Sequence, residues 1–279
     1  MRQAILRITE GSHLQHIDLQ KVTVTFPQPK GGEEFRAVDG FDLKVEKGEF
    51  VTIVGPSGCG KSTLLSVVDG LIRPHSGQAV INGTVVTGPG TDRALVFQEF
   101  ALLPWRTVVD NVMLGIELQK KFTKPQMKET VTRYIQMVGL QGFEDHYPHQ
   151  LSGGMRQRVG LARALAVNPD ILLMDEPFAA LDAQTREIMS LELLRIWEQE
   201  RKTVLFVTHG IDEAVYLADR VVVMSGRPGR VKEVIPVNLP RPRSLEIKDD
   251  SDFVHLRRHI WDLLQNEVQL QVSYKGTRV

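Results

Sequence analysis

The sequence has few of the features that mark secreted, membrane-spanning or fibrous proteins. Its 279 residues contain one cysteine, so no disulfide can form within the chain, and a reducing, cytoplasmic compartment is expected. No apolar run approaches the roughly 18 residues needed to cross a bilayer. The first residues hold only a short apolar patch broken by Arg7, so no secretory signal is expected.

The sequence also lacks net charge, with 34 Lys and Arg against 34 Asp and Glu. This balance argues against a protein that binds duplex DNA through its overall charge, although a local basic patch remains compatible with it. The proportions of hydrophobic residues, 42%, and charged residues, 24%, are ordinary for a globular chain and exclude disorder and collagen. The length permits one large domain or two small ones.

Hydrophobic patterning predicts an α/β core interrupted by helices. Alternating apolar residues from His16 onward predict half-buried strands, and continuous apolar runs after Pro169 predict a parallel sheet covered on both faces. Between them, residues 99–168 form a predicted helical insert. Its predicted helices lie near 108–120, 125–139 and 153–167. A further helix is expected near the C-terminus, with Ser251 as its N-cap.

A glycine-rich segment after a predicted strand carries the strongest chemical signal. Residues 55–62, GPSGCGKS, match the pattern G-x-x-x-x-G-K-[ST] and precede a predicted helix. The glycines let backbone N–H groups surround phosphate oxygens, and the helix N-terminus adds a favourable dipole. Lys61 is expected to reach the β- and γ-phosphates of ATP, and the Ser62 hydroxyl to bind Mg²⁺. The predicted nucleotide-binding residues are Gly55, Pro56, Ser57, Gly58, Cys59, Gly60, Lys61, Ser62 and Thr63. The cysteine in this loop is also a candidate point of inhibition by thiol reagents.

Two acidic residues follow the apolar strand at 171–174. Asp175 and Glu176 emerge at its carboxyl end, where ligands bind in open parallel sheets. Asp175 is suited to hold Mg²⁺ through water, and Glu176 to orient or deprotonate an attacking water. Acid pairs at strand ends are common. These two residues are candidates only because the chain also has the phosphate-binding segment at residues 55–62, which is a P-loop.

A third motif, LSGGMRQR at residues 151–158, places Ser152, Gly153 and Gly154 at the start of an amphipathic helix. Such a start can bind an anion, although an ordinary helix cap would look the same. In this order, the three motifs resemble those of the ATP-binding subunit of an ABC transporter. The resemblance extends from about residue 16 to about residue 265.

The resemblance implies a fold and an assembly. The fold is an α/β P-loop NTPase (RecA-like) core with an N-terminal antiparallel β subdomain and an inserted α-helical subdomain. Residues 1–15 would be an extension, 16–240 the cassette and 241–279 a helical tail. In that family the LSGGM segment, here residues 151–155, is called the signature and contacts ATP on the opposite subunit. Residues 152–154 would therefore act in trans. With one P-loop, the chain would need a second ATPase subunit, which would be a copy or a paralogue. No nucleic acid is expected as a partner.

The resemblance also assigns residues that have a plainer interpretation by themselves. Gln98 matches the Q-loop glutamine, which contacts Mg²⁺ or the water and senses the membrane partner. His209 matches the switch histidine that stabilises the transferred γ-phosphate, and Asp182 matches the D-loop. Phe26 matches an aromatic residue that stacks on adenine, but could equally be the last core residue of its strand. Gly210 departs from the family, which often has Asp there, and this could loosen the start of the next helix.

Further segments narrow the resemblance to one branch of importers. Leu102–Trp105, Ser225–Val231 and Leu239–Arg243 are similar to importers of nitrate, alkanesulfonates, taurine and related small anions. In that branch the ATPase docks through the insert onto a permease at the cytoplasmic face of the inner membrane. An extracytoplasmic solute-binding protein delivers the substrate. An ATPase for another substrate, or for an exporter, is the alternative.

Other classes of P-loop protein fit less well. Only 91 positions separate Lys61 from Ser152, which leaves no room for the coiled-coil insertion of ABC ATPases in DNA repair. Translation-type ABC proteins normally carry two cassettes in tandem, and this chain has one. A P-loop kinase would not need residues 152–154 or His209.

Overall fold

The computed structural model describes residues 15–27 and 34–276, with the side chains of the last helix up to Gln265 and that of Glu267. The described residues form ten strands and seven α-helices. The strands β1 to β10 span Gln15–Phe26, Phe35–Glu46, Phe50–Val54, Ser76–Ile81, Thr84–Val85, Arg93–Val96, Ile171–Asp175, Thr203–Thr208, Arg220–Met224 and Val231–Pro236. The helices α1 to α7 span Lys61–Asp69, Val108–Gln119, Lys124–Met137, Gly153–Ala166, Ala183–Glu200, Ile211–Leu217 and Ser251–Gly276.

The first sheet is antiparallel and has the strand order β2-β1-β4-β5. Along β1 and β2, buried residues alternate with exposed ones, as expected for strands with one face on a core. β2 starts at Phe35, which pairs with Phe26 at the end of the β1–β2 ladder. The predicted extension at residues 1–14 lies outside the described residues, and Gln15 already belongs to β1.

The second sheet has the order β10-β9-β3-β8-β7-β6. Its strands are parallel, as predicted, except that β10 runs antiparallel to β9. Successive residues of β3 face different cores. The Phe50 ring contacts the rings of Trp197 in α5 and Phe206 in β8, whereas Val51 belongs to the core shared with α1 and the first sheet. Burial on both faces explains why the strands are continuous apolar runs.

The helical insert has the three helices that the sequence predicts, each ending one or two residues earlier than expected. The Thr107 hydroxyl accepts a hydrogen bond from the Asp110 amide and begins α2, and a capping box at Thr123 and Gln126 begins α3. Buried residues of α2, α3 and α4 join one core with the second sheet, so the insert is fixed on the α/β core.

The C-terminal segment packs back onto the core. The Arg243 guanidinium is buried and donates to the carbonyls of Val215, Tyr216 and Ala218 at the end of α6. The expected N-cap at Ser251 is wrong by one residue, because the Asp250 carboxylate accepts from the Asp252 amide and Ser251 already lies in α7. No helix among the described residues is long and apolar enough to span a membrane.

Candidate active site

The strand order brings three chemically important segments to one edge of the second sheet. β8 lies between β3 and β7. The P-loop follows β3, His209 follows β8, and Asp175 ends β7 just before Glu176. Because the carboxyl ends of parallel strands meet at one edge, segments more than 100 positions apart become neighbours.

The P-loop wraps around the start of α1. Gly60 has a φ of 102° at the N-cap, and a Cβ there would lie 2.8 Å from the Ala37 carbonyl oxygen, so only glycine fits. Lys61 is buried, and its Nζ donates to the carbonyl oxygens of Gly55 at 2.9 Å and Pro56 at 3.2 Å. The loop borders an open pocket of about 240 Å³. The described residues that line it are Phe26, Phe35, Ala37, Ser57, Gly58, Gly60, Lys61, Ser62, Thr63, Glu176 and Arg227.

Ser62 and Asp175 form a pair of hard oxygen ligands beside the pocket. The Ser62 hydroxyl donates to Asp175 Oδ1 at 3.0 Å. Burial raises the pKa of the Asp175 carboxyl, and the hydrogen bond from Ser62 opposes that rise. A partly buried carboxylate gains from a cation, and Mg²⁺ prefers one or two protein oxygens together with substrate phosphates. The donor set therefore fits Mg²⁺ bound with a nucleotide.

Glu176 lies between the P-loop lysine and the histidine after β8. Its Oε1 is 3.9 Å from Lys61 Nζ, and its Oε2 is 3.2 Å from His209 Nδ1. The backbone of Glu176 has a φ of 45°, and its amide donates to the Val207 carbonyl at 2.9 Å. A non-glycine residue in this left-handed region is strained, and such strain clusters at functional sites.

A buried acid supports the segment that carries His209. The Thr208 hydroxyl donates to the Glu213 carboxylate and accepts from the Gly210 amide. Burial raises the pKa of Glu213. Gly210 begins α6 and has no side chain to cap it. The Thr208 hydroxyl and the Glu213 carboxylate hold the start of α6 instead, so the absence of the family's Asp at position 210 does not leave it loose.

The signature residues lie apart from the P-loop pocket and contact their own helices. The Ser152 hydroxyl accepts from the Met155 amide at 3.3 Å and caps α4, while Asp182 accepts from the amide and hydroxyl of Thr185 and caps α5. The two caps adjoin, since a Cβ on Gly154 would lie 2.8 Å from Thr185 Cγ2. None of the signature residues is among the described residues that line the P-loop pocket.

Gln98 is likewise not brought to the Ser62–Asp175 pair. It is exposed after β6 and lines a different, open pocket with Phe100, Arg156 of α4 and Ala180. Phe97, the residue before Gln98, and Trp105 are 47% and 71% exposed. The expected contact of Gln98 with Mg²⁺ therefore stays a prediction.

Cys59 is fully buried beneath the P-loop. Burial raises the pKa of its thiol, and a Cβ on Gly55 would lie 2.8 Å from its Sγ. A buried thiol that is hard to ionise is a poor nucleophile. The structure thus argues against easy inhibition by thiol reagents.

The sequence did not identify Phe35 and Arg227 as pocket residues. Phe35 faces Phe26 across the β1–β2 ladder, and Arg227 comes from the loop between β9 and β10. The hairpin pairing could have pointed to Phe35. The segment containing Arg227 stood out only through the importer resemblance, and no local pattern places it at the P-loop.

Comparisons with known proteins agree with this geometry. A family model described as "ABC transporter" matches residues 38–179. The uncharacterized ABC transporter ATP-binding protein MJ0412 of Methanocaldococcus jannaschii is 54% identical over 237 residues, 85% of this chain and 87% of its own. The aliphatic sulfonates import ATP-binding protein SsuB of Bacillus cereus is 44% identical over 238 residues, 85% of this chain and 92% of its own.

Solved structures give the same answer. The dimeric, post-hydrolysis state of the ATP-binding cassette MJ0796, bound to ADP and Pi, superposes with a TM-score of 0.71 at 33% identity and covers 80% of this chain and 100% of its own. cbiO1 from Clostridium perfringens, part of the transporter complex cbiONQ, has a TM-score of 0.72 at 23% identity, covering 86% and 93%, and bears on the fold alone. With its P-loop, acid pair and signature on this fold, the chain belongs to the ATP-binding proteins of ABC transporters and is an ABC-type ATPase.

Proposed function

We propose that this ATPase energises an importer of a small anion or organic acid, of the alkanesulfonate, nitrate or taurine type. The observation that carries its hydrolytic part is the position of Glu176 between Lys61 and His209. The 44% identity to a protein named for aliphatic sulfonate import supports the transport part. An ATPase for another substrate, or for an exporter, remains the second candidate.

In this proposal the P-loop holds ATP through its backbone N–H groups and Lys61. Glu176 positions a water for in-line attack on the γ-phosphate and accepts its proton, while His209 and Lys61 stabilise the developing charge. Ser62 and Asp175 hold Mg²⁺, which when bound neutralises charge on the β- and γ-phosphates. The 3.2 Å contact between Glu176 and His209 and the 3.9 Å separation of Glu176 from Lys61 support these roles.

We further infer that two ATPase subunits close around two nucleotides. Ser152, Gly153 and Gly154 of one subunit would then contact ATP on the other, and Asp182 would link the two sites. The dimeric MJ0796 cassette bound to ADP and Pi supports this arrangement. The start of α4 is suited to an anion, because the dipole of a helix favours negative charge at its N-terminus.

The permease would dock beside Gln98, at the cytoplasmic face of the membrane. The large apolar side chains of Phe97, next to Gln98 in the sequence, and Trp105 are exposed, which supports this proposal because an exposed apolar surface marks interaction sites. Residues 99–118 would carry the contact, and a solute-binding protein outside the membrane would deliver the substrate. Within the chain we assign residues 16–240 to the cassette, 99–168 to its insert and 241–279 to the tail.

Growth and uptake test the transported substrate. A strain that lacks this gene should fail to grow with an alkanesulfonate, taurine or nitrate as its only source of sulfur or nitrogen, and should not take up the labelled compound. The wild-type gene should restore both, and a Glu176→Gln copy should restore neither. Normal growth on all of these compounds would remove the substrate class, and ATPase activity of the purified chain would be unaffected by that outcome.

A further inference from the structure

The loop between β9 and β10 reaches the P-loop pocket, although it lies about 170 positions further along the chain. Residues 225–230 of this loop, which we name the arginine loop, place Arg227 in the pocket lining. Arg227 Nε donates to the Gly58 carbonyl at 2.7 Å, and its guanidinium carbon lies 5.0 Å from the centre of the Phe35 ring. Arg227 thus joins the phosphate loop to the aromatic end of the pocket.

The close approach of Arg227 depends on a glycine in the P-loop. Gly58 has a φ of 72°, and a Cβ there would lie 2.3 Å from Arg227 Nη2. Any side chain at position 58 would therefore collide with the guanidinium. The contact is built on the glycine pattern of the P-loop itself.

Two further contacts fix the arginine loop on the P-loop and the first sheet. The Gly229 amide donates to the Ala37 carbonyl at 2.9 Å, and the Asp39 amide donates back to Gly229 at 3.0 Å. A Cβ on Gly229 would lie 2.0 Å from the Cys59 carbonyl oxygen. This close backbone packing leaves the loop little freedom to move away from the pocket.

The last helix holds the arginine loop from its other side. The Glu267 carboxylate accepts from the Gly226 amide at 2.8 Å and from Lys232 Nζ at 2.7 Å. Burial alone would raise the pKa of Glu267, but these two hydrogen bonds bring it below its usual range. A carboxylate of α7 is thus tied to the residue directly before Arg227.

The charges around the pocket suggest what the arginine binds. Its described lining contains two cations, Lys61 and Arg227, and one anion, Glu176. Lys61 already bonds two P-loop carbonyls, whereas Arg227 is exposed. An exposed guanidinium suits the phosphates of a nucleotide, because its planar donors match phosphate oxygens.

We propose that Arg227 is a nucleotide-binding residue that contacts the polyphosphate of ATP, and that Glu267 of the last helix is a positioning residue for it. The inference rests on the proposed function only for the identity of the nucleotide. It gives the C-terminal tail a role in the ATP site.

Nucleotide affinity of the full chain tests the proposal. Competition against a fluorescent ATP analogue would give Kd values for ATP, ADP and AMP, at several salt concentrations. For Arg227→Gln we expect the Kd of ATP to rise about tenfold, ADP less and AMP least, because each lost phosphate removes an attraction. The dependence of the ATP Kd on salt should also weaken. Arg227→Lys keeps the charge and should lose about threefold.

Arg230→Gln is the matched control, since Arg230 lies in the same loop but pairs with Asp39. Its Kd values should stay within twofold of wild type. An equal loss for AMP and ATP, an unchanged ATP Kd in Arg227→Gln, or an equal effect of Arg230→Gln would each overturn the assignment.

Glu267→Gln tests the positioning role. It should raise the Kd of ATP severalfold, and add nothing in a chain that already carries Arg227→Gln. Glu233→Gln is its control and should change nothing. Glu233 lies in β10 and bonds His259, which is on α7 like Glu267. Additive effects would overturn the role of Glu267. These are binding measurements on the isolated chain, so a failed uptake experiment would leave their outcome intact.

Discussion

Two regions of the molecule carry the phosphate-binding motifs, and they are built differently. The P-loop region, which we define as Gly55–Thr63 with Asp175, Glu176 and His209, joins segments that are far apart in the chain. Ser62 and Asp175, for instance, are hydrogen bonded across 113 positions. The signature region, which we define as Ser152–Gly154 with Asp182, has polar groups that cap only their own helices, α4 and α5.

The difference shows which region has unfavourable features in the ligand-free protein that a bound ligand can relieve. In the P-loop region the partly buried carboxyl of Asp175 has a raised pKa and Glu176 has a strained backbone, so a bound cation and nucleotide would stabilise the region. In the signature region Ser152 and Asp182 each accept a hydrogen bond from an amide of the helix that they cap. By itself that region is an ordinary pair of helix starts, and in our proposal it acquires a function only against a second subunit.

Replacing Glu176 should have the largest effect. Glu176→Gln keeps the shape of the side chain but cannot accept a proton, so ATP hydrolysis should fall by about 10²–10³-fold. ATP should still bind, and a closed dimer should accumulate, which light scattering after gel filtration would detect. Glu187→Gln, at an exposed position of α5, is the control and should hydrolyse ATP normally. Hydrolysis at the wild-type rate in Glu176→Gln would remove the proposed role.

A charge placed in the signature region should have the next largest effect. A Cβ on Gly153 meets only Leu181 Cδ2, at 3.5 Å, and an acid in the first turn favours the helix. Gly153→Asp should therefore fold, yet repel the phosphate of the partner's ATP and slow hydrolysis by about 10–100-fold. Gly153→Ser, similar in size but neutral, should lose less.

Mixing this variant with Lys61→Ala shows whether the two regions cooperate within a chain or between chains. If they act between chains, a mixed dimer contains one intact site, and the mixture should hydrolyse ATP faster than either variant alone. If each chain uses its own signature, every site stays damaged and the mixture gains nothing.

Stability should change in opposite directions in the two regions. Burial raises the folded-state pKa of Asp175 above its unfolded value, so the ionised group opposes folding, and this cost is lost as pH falls below the folded pKa toward the unfolded one. Asp175→Asn should raise the Tm of the nucleotide-free protein near neutral pH, and lose that advantage in acid. Ser152→Ala should instead lower the stability by about 0.5–2 kcal/mol, because it removes a helix cap. Thermal denaturation between about pH 4 and pH 8, without Mg²⁺, measures both, and a lower Tm for Asp175→Asn near neutral pH would contradict the cost assigned to its burial.

The sequence predicted best what local patterns encode. A short stretch of sequence contains the whole glycine motif between β3 and α1, and another contains the apolar run of β7 before Asp175. The structure confirms these strands and this helix. β10 was missed because four of its six residues are only partly buried, so it has neither an apolar run nor a clear alternation.

Contacts between distant segments could not be predicted in this way. The bond from Arg227 to Gly58 and that from Gly226 to Glu267 follow from how the two sheets and the last helix pack. Nothing in the sequence around either residue marks them. The location of Gln98 depends likewise on how the insert packs against β6.

The smallest expected effect concerns Cys59, whose modification should hardly change activity. The thiol is fully buried and its pKa is raised, so a maleimide should label the folded protein slowly and the urea-unfolded protein fast. ATPase activity should survive the treatment. Since the chain has no other cysteine, the label reports this position alone.

A second thiol placed in the signature region turns the same measurement into a test of both regions. Ser152 is exposed, so Ser152→Cys in a Cys59→Ala background should react fast. If the signature region closes on the partner's nucleotide, ATP should slow that reaction in a Glu176→Gln chain, in which the closed dimer persists. In a separate measurement on the chain that retains Ser152, Cys59 should react equally slowly with and without ATP, because its own chain already buries it. Fast labelling of Cys59 in the folded protein would contradict the burial, and labelling at position 152 that ignores ATP would contradict a signature region that acts between subunits.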